Sequence, residues 1–175
     1  MAAAAYRECG VEGIGVREIM ERAGLTQGGF YSHFTGKQAL FREACGHAIG
    51  QTAARFVVTV DDSVQQPQSF IDLYLSAWHR DNPQEGCFVA ALGSEMARAD
   101  FDQRLAFGRG ASETVIRLTP YMEGADASER SRRAALMVSA MAGVLTVART
   151  LAGTPMSDGL LADARRFFLD SFARQ

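Results

Sequence analysis

The sequence has little of what disulfide-bonded or zinc-stabilised proteins require. Its 175 residues include three cysteines, Cys9, Cys45 and Cys87, which are widely spaced and never form a Cys-x-x-Cys pair. An odd number of isolated cysteines supports neither a disulfide framework nor a zinc site. The three histidines do not cluster with them at ligand spacing. The sequence therefore predicts no metal site and indicates no cofactor.

Long hydrophobic runs are also missing. The longest nearly apolar stretch, Ala134–Ala148, has fifteen residues, whereas a membrane-spanning helix needs about 18 or more. The N-terminus lacks the basic start and the long apolar core of a signal peptide. These absences predict a cytoplasmic protein with no membrane partner.

Prolines and strand patterns are equally scarce. Each of the four prolines lies where a helical pattern stops or starts, and no stretch alternates convincingly between apolar and polar residues. The only β-branched run, Phe56–Val60, ends a helix-like segment. The patterns predict an all-α fold of eight or nine helices.

The first three predicted helices are short and have clear boundaries. They cover Ala2–Glu8, Val16–Ala23 and Gln27–Phe34, and a fourth extends to about residue 60. Gly24 ends the second helix, and Thr26 is a good N-cap for the third. A helix, a glycine-containing turn and a second short helix form the pattern of a helix-turn-helix. Its apolar lock would come from Ile19, Ala23, Leu25, Phe30 and Phe34.

Residues 13–44 read GIGVREIMERAGLTQGGFYSHFTGKQALFREA. This stretch closely resembles the TetR family of helix-turn-helix transcriptional regulators, and the resemblance is strong over about the first 47 residues. It implies a DNA-binding domain at residues 1–47, with an apparently truncated first helix. The remaining chain, residues 48–175, is then expected to form a helical domain for ligand binding and dimerisation.

The resemblance also implies roles for the recognition helix. Thr26 would cap it and offer its hydroxyl to a phosphate, and Gln27 would bind a base edge in the major groove. Gly28 and Gly29 would let the helix backbone come close to the DNA. Two glycines cost a helix roughly 1 kcal/mol each against alanine, which favours a functional reason for them.

Three further side chains are implied as DNA contacts. Tyr31 and His33 would bind phosphates or bases, and Lys37 would hold a phosphate as a point charge. The alternative for Tyr31 and His33 is that they pack as ordinary aromatics beside Phe30 and Phe34.

Two features depart from the family pattern. Gly15 stands where relatives usually have a Ser or Thr cap, and Met1–Glu8 is too short for a helix to persist without tertiary support. We therefore expect the chain to be truncated or misassigned at its N-terminus. Residues 1–47 also carry five basic and five acidic side chains, and the whole chain has a net charge of −2, so that affinity for DNA would depend on few phosphate contacts.

The C-terminal half predicts a dimer. The segment 134–151 is apolar almost all round and must be buried on several sides. Together with the Phe-rich last helix it indicates a four-helix bundle across a two-fold axis, with Gly143 and Phe168 in the interface. The alternative is an ordinary monomeric core.

The middle helices predict a pocket for an apolar small-molecule effector. Polar anchors would come from His79, Glu95 or Arg117, although plain core packing is an alternative for each aromatic residue. The candidate lining residues are Tyr74, Trp78, Phe88, Leu92, Met96 and Phe107.

Cys87 is a candidate redox sensor. It follows Gly86 at the start of a predicted helix, where the helix dipole would stabilise a thiolate, and some relatives carry a reactive cysteine in a similar context. The alternative is a small buried hydrophobe, and the nearby Glu85 would oppose a thiolate.

These patterns predict a ligand-responsive transcriptional regulator, most often a repressor in this family. It would bind a palindromic DNA operator as a homodimer and be released by an effector. The alternative is an all-helical small-molecule-binding or interaction protein that has lost DNA binding. No catalytic constellation stands out, so we do not expect an enzyme.

Overall fold

A computed structural model describes residues 1–57 and 66–172, and within these ranges the chain forms helices and no strand. The predicted all-α fold is confirmed. The α-helices are α1 (Ala2–Cys9), α2 (Val16–Arg22), α3 (Gln27–Phe30), α4 (Lys37–Val57), α5 (Gln66–Tyr74), α6 (Ala77–Asp81), α7 (Phe88–Met96), α8 (Phe101–Leu118), α9 (Ala127–Thr150) and α10 (Pro155–Phe172). Two 3₁₀ turns lie at Pro83–Glu85 and Thr119–Tyr121.

The turn between α2 and α3 has the geometry that its glycine requires. Gly24 adopts φ +70°, a left-handed conformation that a side chain disfavours. Its N–H donates to the carbonyl of Glu21, and the N–H of Leu25 donates to that of Met20 at 2.9 Å. This pair of bonds is a Schellman motif, and it ends α2 sharply.

One member of the predicted apolar lock was assigned wrongly. Leu25 is 59% exposed, whereas Met20, which was not assigned to the lock, is buried with Ile19 and Phe30. The Schellman turn directs the Leu25 side chain outwards, and Met20 on the preceding turn of α2 takes the inner position.

The described residues form two apolar cores. The first joins α1 and the start of α4 to α7, since Tyr6 and Phe41 lie in one cluster with Phe88, Leu92 and Met96. The predicted domain boundary at residue 47 falls inside the continuous helix α4, and the predicted end of α4 near residue 60 lies outside the described residues. We call residues 1–47 the head and residues 48–172 the body.

The second core fills the body. It includes Phe70 of α5, Met137 of α9 and Leu161 of α10, and residues of α4, α7 and α8 also contribute to it. Phe168, which was expected in an interface between subunits, lies in this core and is 4% exposed, while its neighbour Phe167 is 63% exposed. The phase of α10 points Phe168 inwards, so that our assignment of Phe168 to the interface was wrong.

A buried histidine ties α6 to its neighbours. The Nε2 atom of His79 accepts the backbone N–H of Cys87 at 2.8 Å, so its Nδ1 carries the proton and donates to the carbonyl of Tyr74 at 2.7 Å. Burial lowers the pKa of His79 from 6.5 to about 3, because the charged form would be desolvated. Arg149 of α9 donates to the carbonyls of His79 and Arg80 at the end of α6. His79 is therefore neutral in the folded protein, and both of its ring nitrogens stabilise the fold through hydrogen bonds to the backbone.

Candidate nucleic-acid interface and effector region

The recognition helix is short and is held by one aromatic side chain. Phe30 is 1% exposed, and its ring stacks on Phe34 and meets Tyr31 edge-on, with centroids 5.4 and 5.1 Å away. The hydroxyl of Thr26 accepts the N–H of Gly29 at 3.4 Å, which confirms the predicted N-cap. The helix ends at Phe30, however, and not at Phe34 as predicted.

The predicted DNA contacts on this helix and the turn after it are accessible. Thr26, Gln27, Tyr31 and His33 are all exposed, and Tyr31 is 63% exposed. An exposed tyrosine beside a buried phenylalanine is free to bind an external partner. The packed-aromatic alternative does not describe Tyr31 and His33, although Tyr31 keeps its edge contact with Phe30.

The two glycines of the recognition helix are not required by the chain's own packing. A Cβ added at Gly28 would meet nothing within 4 Å, and one at Gly29 would meet only the Thr26 hydroxyl at 3.7 Å. Neither residue has a positive φ. Glycine weakens a helix, and no side chain or backbone atom of the protein requires a glycine at these two positions. The two glycines therefore need an explanation outside the packing of the protein itself.

Lys37 already has an ionic partner. Its Nζ lies 3.6 Å from a carboxylate oxygen of Glu12, and its side chain is 21% exposed against 88% for Glu12. A phosphate bound by Lys37 would have to replace or share this weak, solvent-exposed pair.

Most basic side chains of the head form ion pairs or hydrogen bonds with other residues of the protein. Arg22 pairs with Glu8 at 2.6 Å and with Glu18 at 2.8 Å, and Arg17 pairs with Glu21 of its own helix. Besides these paired basic side chains, the head therefore offers an external anion neutral donors such as hydroxyls and backbone N–H groups.

Comparison with known proteins agrees with this geometry. Residues 1–44 match the family model described as bacterial regulatory proteins, tetR family. The N-terminal domain is of the type that this family model describes. A comparison with curated proteins finds no match.

Solved structures share the fold over most of this chain. A TetR transcriptional regulator from Legionella pneumophila is 18% identical, with a TM-score of 0.78, and the match covers 98% of this chain and 92% of that one. The reduced form of E. coli NemR is 16% identical over 94% and 92% of the two chains, with a TM-score of 0.72. AibR, in complex with isovaleryl coenzyme A and operator DNA, is 16% identical over 94% and 91%, with a TM-score of 0.59. Likeness at these identities shows the fold alone.

The predicted effector residues do not lie in one place. Tyr74 belongs to the core of the body and Trp78 is 39% exposed, whereas Phe88, Leu92 and Met96 pack against the head. A ligand-binding role for these residues and for Phe107 stays a prediction.

Two described cavities bear on that prediction. A cavity of about 10 Å³ between α7 and α8 is lined by Cys87, Phe88, Val89, Phe107, Gly110, Ala111 and Thr114, and has room for about one water molecule. A groove of about 500 Å³ separates residues 9–13 of the head from residues 95–103 of the body. In this conformation an apolar effector could enter the first cavity only if α7 and α8 moved apart.

The cysteines differ in surroundings. Burial raises the pKa of the Cys45 thiol to about 12, which keeps it protonated and unreactive. Cys87 caps α7 but is 2% exposed, so a reagent reaches it only after local opening.

Redox sensing by Cys87 stays a prediction with a direct test. In a variant carrying Cys9→Ser and Cys45→Ala, the rate of alkylation is measured as a function of pH. If Cys87 is a sensor, its thiol should react faster than free cysteine. An electrophile should release the protein from DNA, and Cys87→Ser should abolish that release. Alkylation slower than that of free cysteine, with normal release in Cys87→Ser, would leave Cys87 as a buried packing residue.

Sequence reasoning missed the contacts between head and body. The backbone N–H of Val11 donates to Glu95 at 2.8 Å, and Arg7 donates from Nε to the carbonyl of Gln84 at 2.8 Å. These pairs are 84 and 77 residues apart in the chain, and no local pattern marks them.

Among residues 1–57 and 66–172 no group of three or more His, Cys, Asp or Glu side chains could hold a metal ion, and none of their helices is long and apolar enough to cross a membrane.

Proposed function

We propose that this protein is a ligand-responsive transcriptional regulator that works in the cytoplasm as a repressor. It binds a palindromic operator as a homodimer, and a small-molecule effector releases it. The observation that carries the proposal is the recognition helix with an open surface above Gly28 and exposed polar side chains at Thr26, Gln27, Tyr31 and His33.

An apolar surface on α9 and α10 supports the dimer. Leu136 and Val147 on α9 and Met156 and Phe167 on α10 are all at least half exposed. On α9 these residues are spaced with Gly143 at helical intervals, so that they share one face. Contiguous exposed apolar surface of this kind is typical of an interface.

The lining of the small cavity between α7 and α8 suits an apolar effector that would enter when the two helices move apart. This lining is almost entirely apolar, with the hydroxyl of Thr114 as a polar group. AibR, a protein of the same fold, is described in complex with an acyl coenzyme A and operator DNA, and the combination of ligand and DNA on one such scaffold is consistent with our proposal.

The test is a selection of binding sites from random duplex oligonucleotides with the full chain. We expect an inverted repeat whose half-sites place two recognition helices in major grooves on one side of the duplex. If the protein dimerises but selects no sequence, the regulator proposal fails, and the alternative of an interaction protein without DNA binding takes its place.

Gly28→Ala separates DNA binding from folding. Because a Cβ at this position meets nothing in the protein, the variant should be as stable as the wild type or more stable, by up to about 1 kcal/mol. It should nevertheless bind the selected operator more weakly, since the Cβ would stand between helix and DNA. The matched control is Gly108→Ala on α8, another helical glycine with open space around it. Equal operator affinity for both variants would contradict close approach at Gly28.

Side-chain variants test base reading. Gln27→Ala should relax base preference at one operator position, at a cost of about 1–3 kcal/mol of discrimination. Tyr31→Ala and Lys37→Ala should weaken binding to all sequences. Tyr121→Ala removes another exposed tyrosine, which lies in the body, and should leave operator binding unchanged. Unchanged selectivity in Gln27→Ala would show that the base contact comes from elsewhere.

A further inference from the structure

The head is attached to the body by a hydrogen bond to a carboxylate. The backbone N–H of Val11, in the loop between α1 and α2, donates to Oε2 of Glu95 at 2.8 Å. Val11 is buried and Glu95 half-buried in the last turn of α7. A hydrogen bond to a charged acceptor is stronger than one between neutral groups, so this contact contributes more than an ordinary loop contact.

The loop is shaped around this carboxylate. Gly10 adopts φ +80°, and a Cβ added there would lie 2.7 Å from Oε1 of Glu95. Any other residue would be strained in the backbone and would displace the carboxylate. The backbone thus approaches Glu95 more closely than a chain with a side chain at position 10 could.

A second contact lies on the other side of α1. Arg7 is 8% exposed, and its Nε donates to the carbonyl of Gln84 at 2.8 Å in the 3₁₀ turn Pro83–Glu85. The head is therefore bound at two places that belong to different elements of the body. Together with the continuous helix α4, these two contacts fix the orientation of the head.

Head and body also share the continuous helix α4 and an apolar core. The core is non-directional, and α4 holds the head only along one side, so that the contacts of Glu95 and Arg7 hold α1 and the loop after it against the body. Beside the Glu95 contact lies the groove of about 500 Å³ lined by residues 9–13 and 95–103. The groove leaves room for the head to turn towards α7 and α8 once the hydrogen bond is broken.

We propose that Glu95 is a positioning residue that sets the angle of the head on the body, and through it the separation of the two recognition helices in the dimer. This inference rests on the proposed function, because separation matters only to a protein that binds two half-sites at once. Two-headed binding demands that the half-sites match the spacing of the helices. Loss of the contact should therefore broaden the range of spacings that the protein accepts.

The experiment measures affinity for operators whose half-sites are moved apart or together by one and two base pairs. The wild type should prefer one spacing sharply. Glu95→Ala should lose about tenfold in affinity at that spacing, and its preference over the neighbouring spacings should fall towards unity. Glu95→Gln keeps an acceptor oxygen and should retain most of the preference. Gly10→Ala disturbs the same contact from the head and should behave as Glu95→Ala does.

Glu113→Gln is the charge-matched control, because Glu113 pairs with Arg117 on its own helix α8. It should leave the spacing preference unchanged. A merely structural role for Glu95 would lower affinity at all spacings equally, and that result would overturn the proposal.

A measurement without DNA separates this proposal from the proposed function. In the full-length wild type, the backbone amide hydrogen of Val11 should exchange slowly with solvent. In Glu95→Ala this exchange should be at least tenfold faster, whereas in Glu95→Gln and Glu113→Gln it should keep the wild-type rate. If the protein selects no operator, the regulator proposal fails. The exchange measurement would still decide whether Glu95 holds the head on the body. Equal exchange in the wild type and Glu95→Ala would refute the contact itself.

Discussion

Gly143→Arg should convert the proposed dimer into monomers and remove most operator binding. Gly143 is exposed on α9 with nothing within 4 Å of an added Cβ, so the monomer tolerates the change. In the interface the guanidinium would be buried without a partner, which is very unfavourable. Because the two heads act together through a raised effective concentration, operator affinity should fall by about 10²–10⁴-fold.

Sedimentation and operator titration check this result together. Phe167→Asp should have the same effect, since Phe167 is exposed on α10 and Phe168 is not. Ser112→Arg adds the same side chain to an exposed position on α8 and should remain dimeric. A dimer that survives both Gly143→Arg and Phe167→Asp would place the interface on another surface.

Stability should fall below pH 6.5 because of His79. Burial lowers its pKa in the folded protein from the ordinary value of 6.5 to about 3, so that between these pH values the unfolded chain binds a proton and the native state does not. The contribution of His79 is fully present above pH 6.5 and is lost as the pH falls towards 3. The slope is at most about 1.4 kcal/mol per pH unit, which predicts a loss of about 2–3 kcal/mol between pH 7 and pH 4.5 from this group.

Urea unfolding at the two pH values measures the loss. His33→Gln removes an exposed histidine and should keep the wild-type pH dependence. His79→Gln should be less stable at pH 7, because it loses at least one of the hydrogen bonds to Tyr74 and Cys87, but should show a shallower acid slope. Equal slopes in the two variants would mean that other groups dominate the acid response.

The long helices of the body begin at side-chain caps. The Asp126 side chain accepts the N–H of Glu129 at 2.7 Å at the start of α9. At the start of α10, which begins at Pro155, the hydroxyl of Thr154 accepts the N–H of Ser157, and the Ser157 hydroxyl donates to the carbonyl of Ala148 in α9. A serine can cap its own helix or bind a neighbouring one, and the sequence does not distinguish these uses.

The recognition segment was predictable because its chemistry is local. Thr26, Gly24 and Phe30 each act on residues within a few positions of themselves. The effector region was not, since whether Leu92 faces a ligand or the head depends on which helix packs against α7. Glu95 was expected to anchor an effector, yet it accepts a hydrogen bond from a residue 84 positions away.

The core shared by Tyr6, Phe41 and α7 limits how this protein can be recombined. The head does not close its own hydrophobic interior, because Phe88, Leu92 and Met96 from the body complete it. A chimaera joined at residue 47 would pair this head with a foreign α7 and leave apolar surface mismatched at the joint. An exchangeable head must therefore carry α7 with it, so the smallest exchangeable unit is discontinuous in the gene.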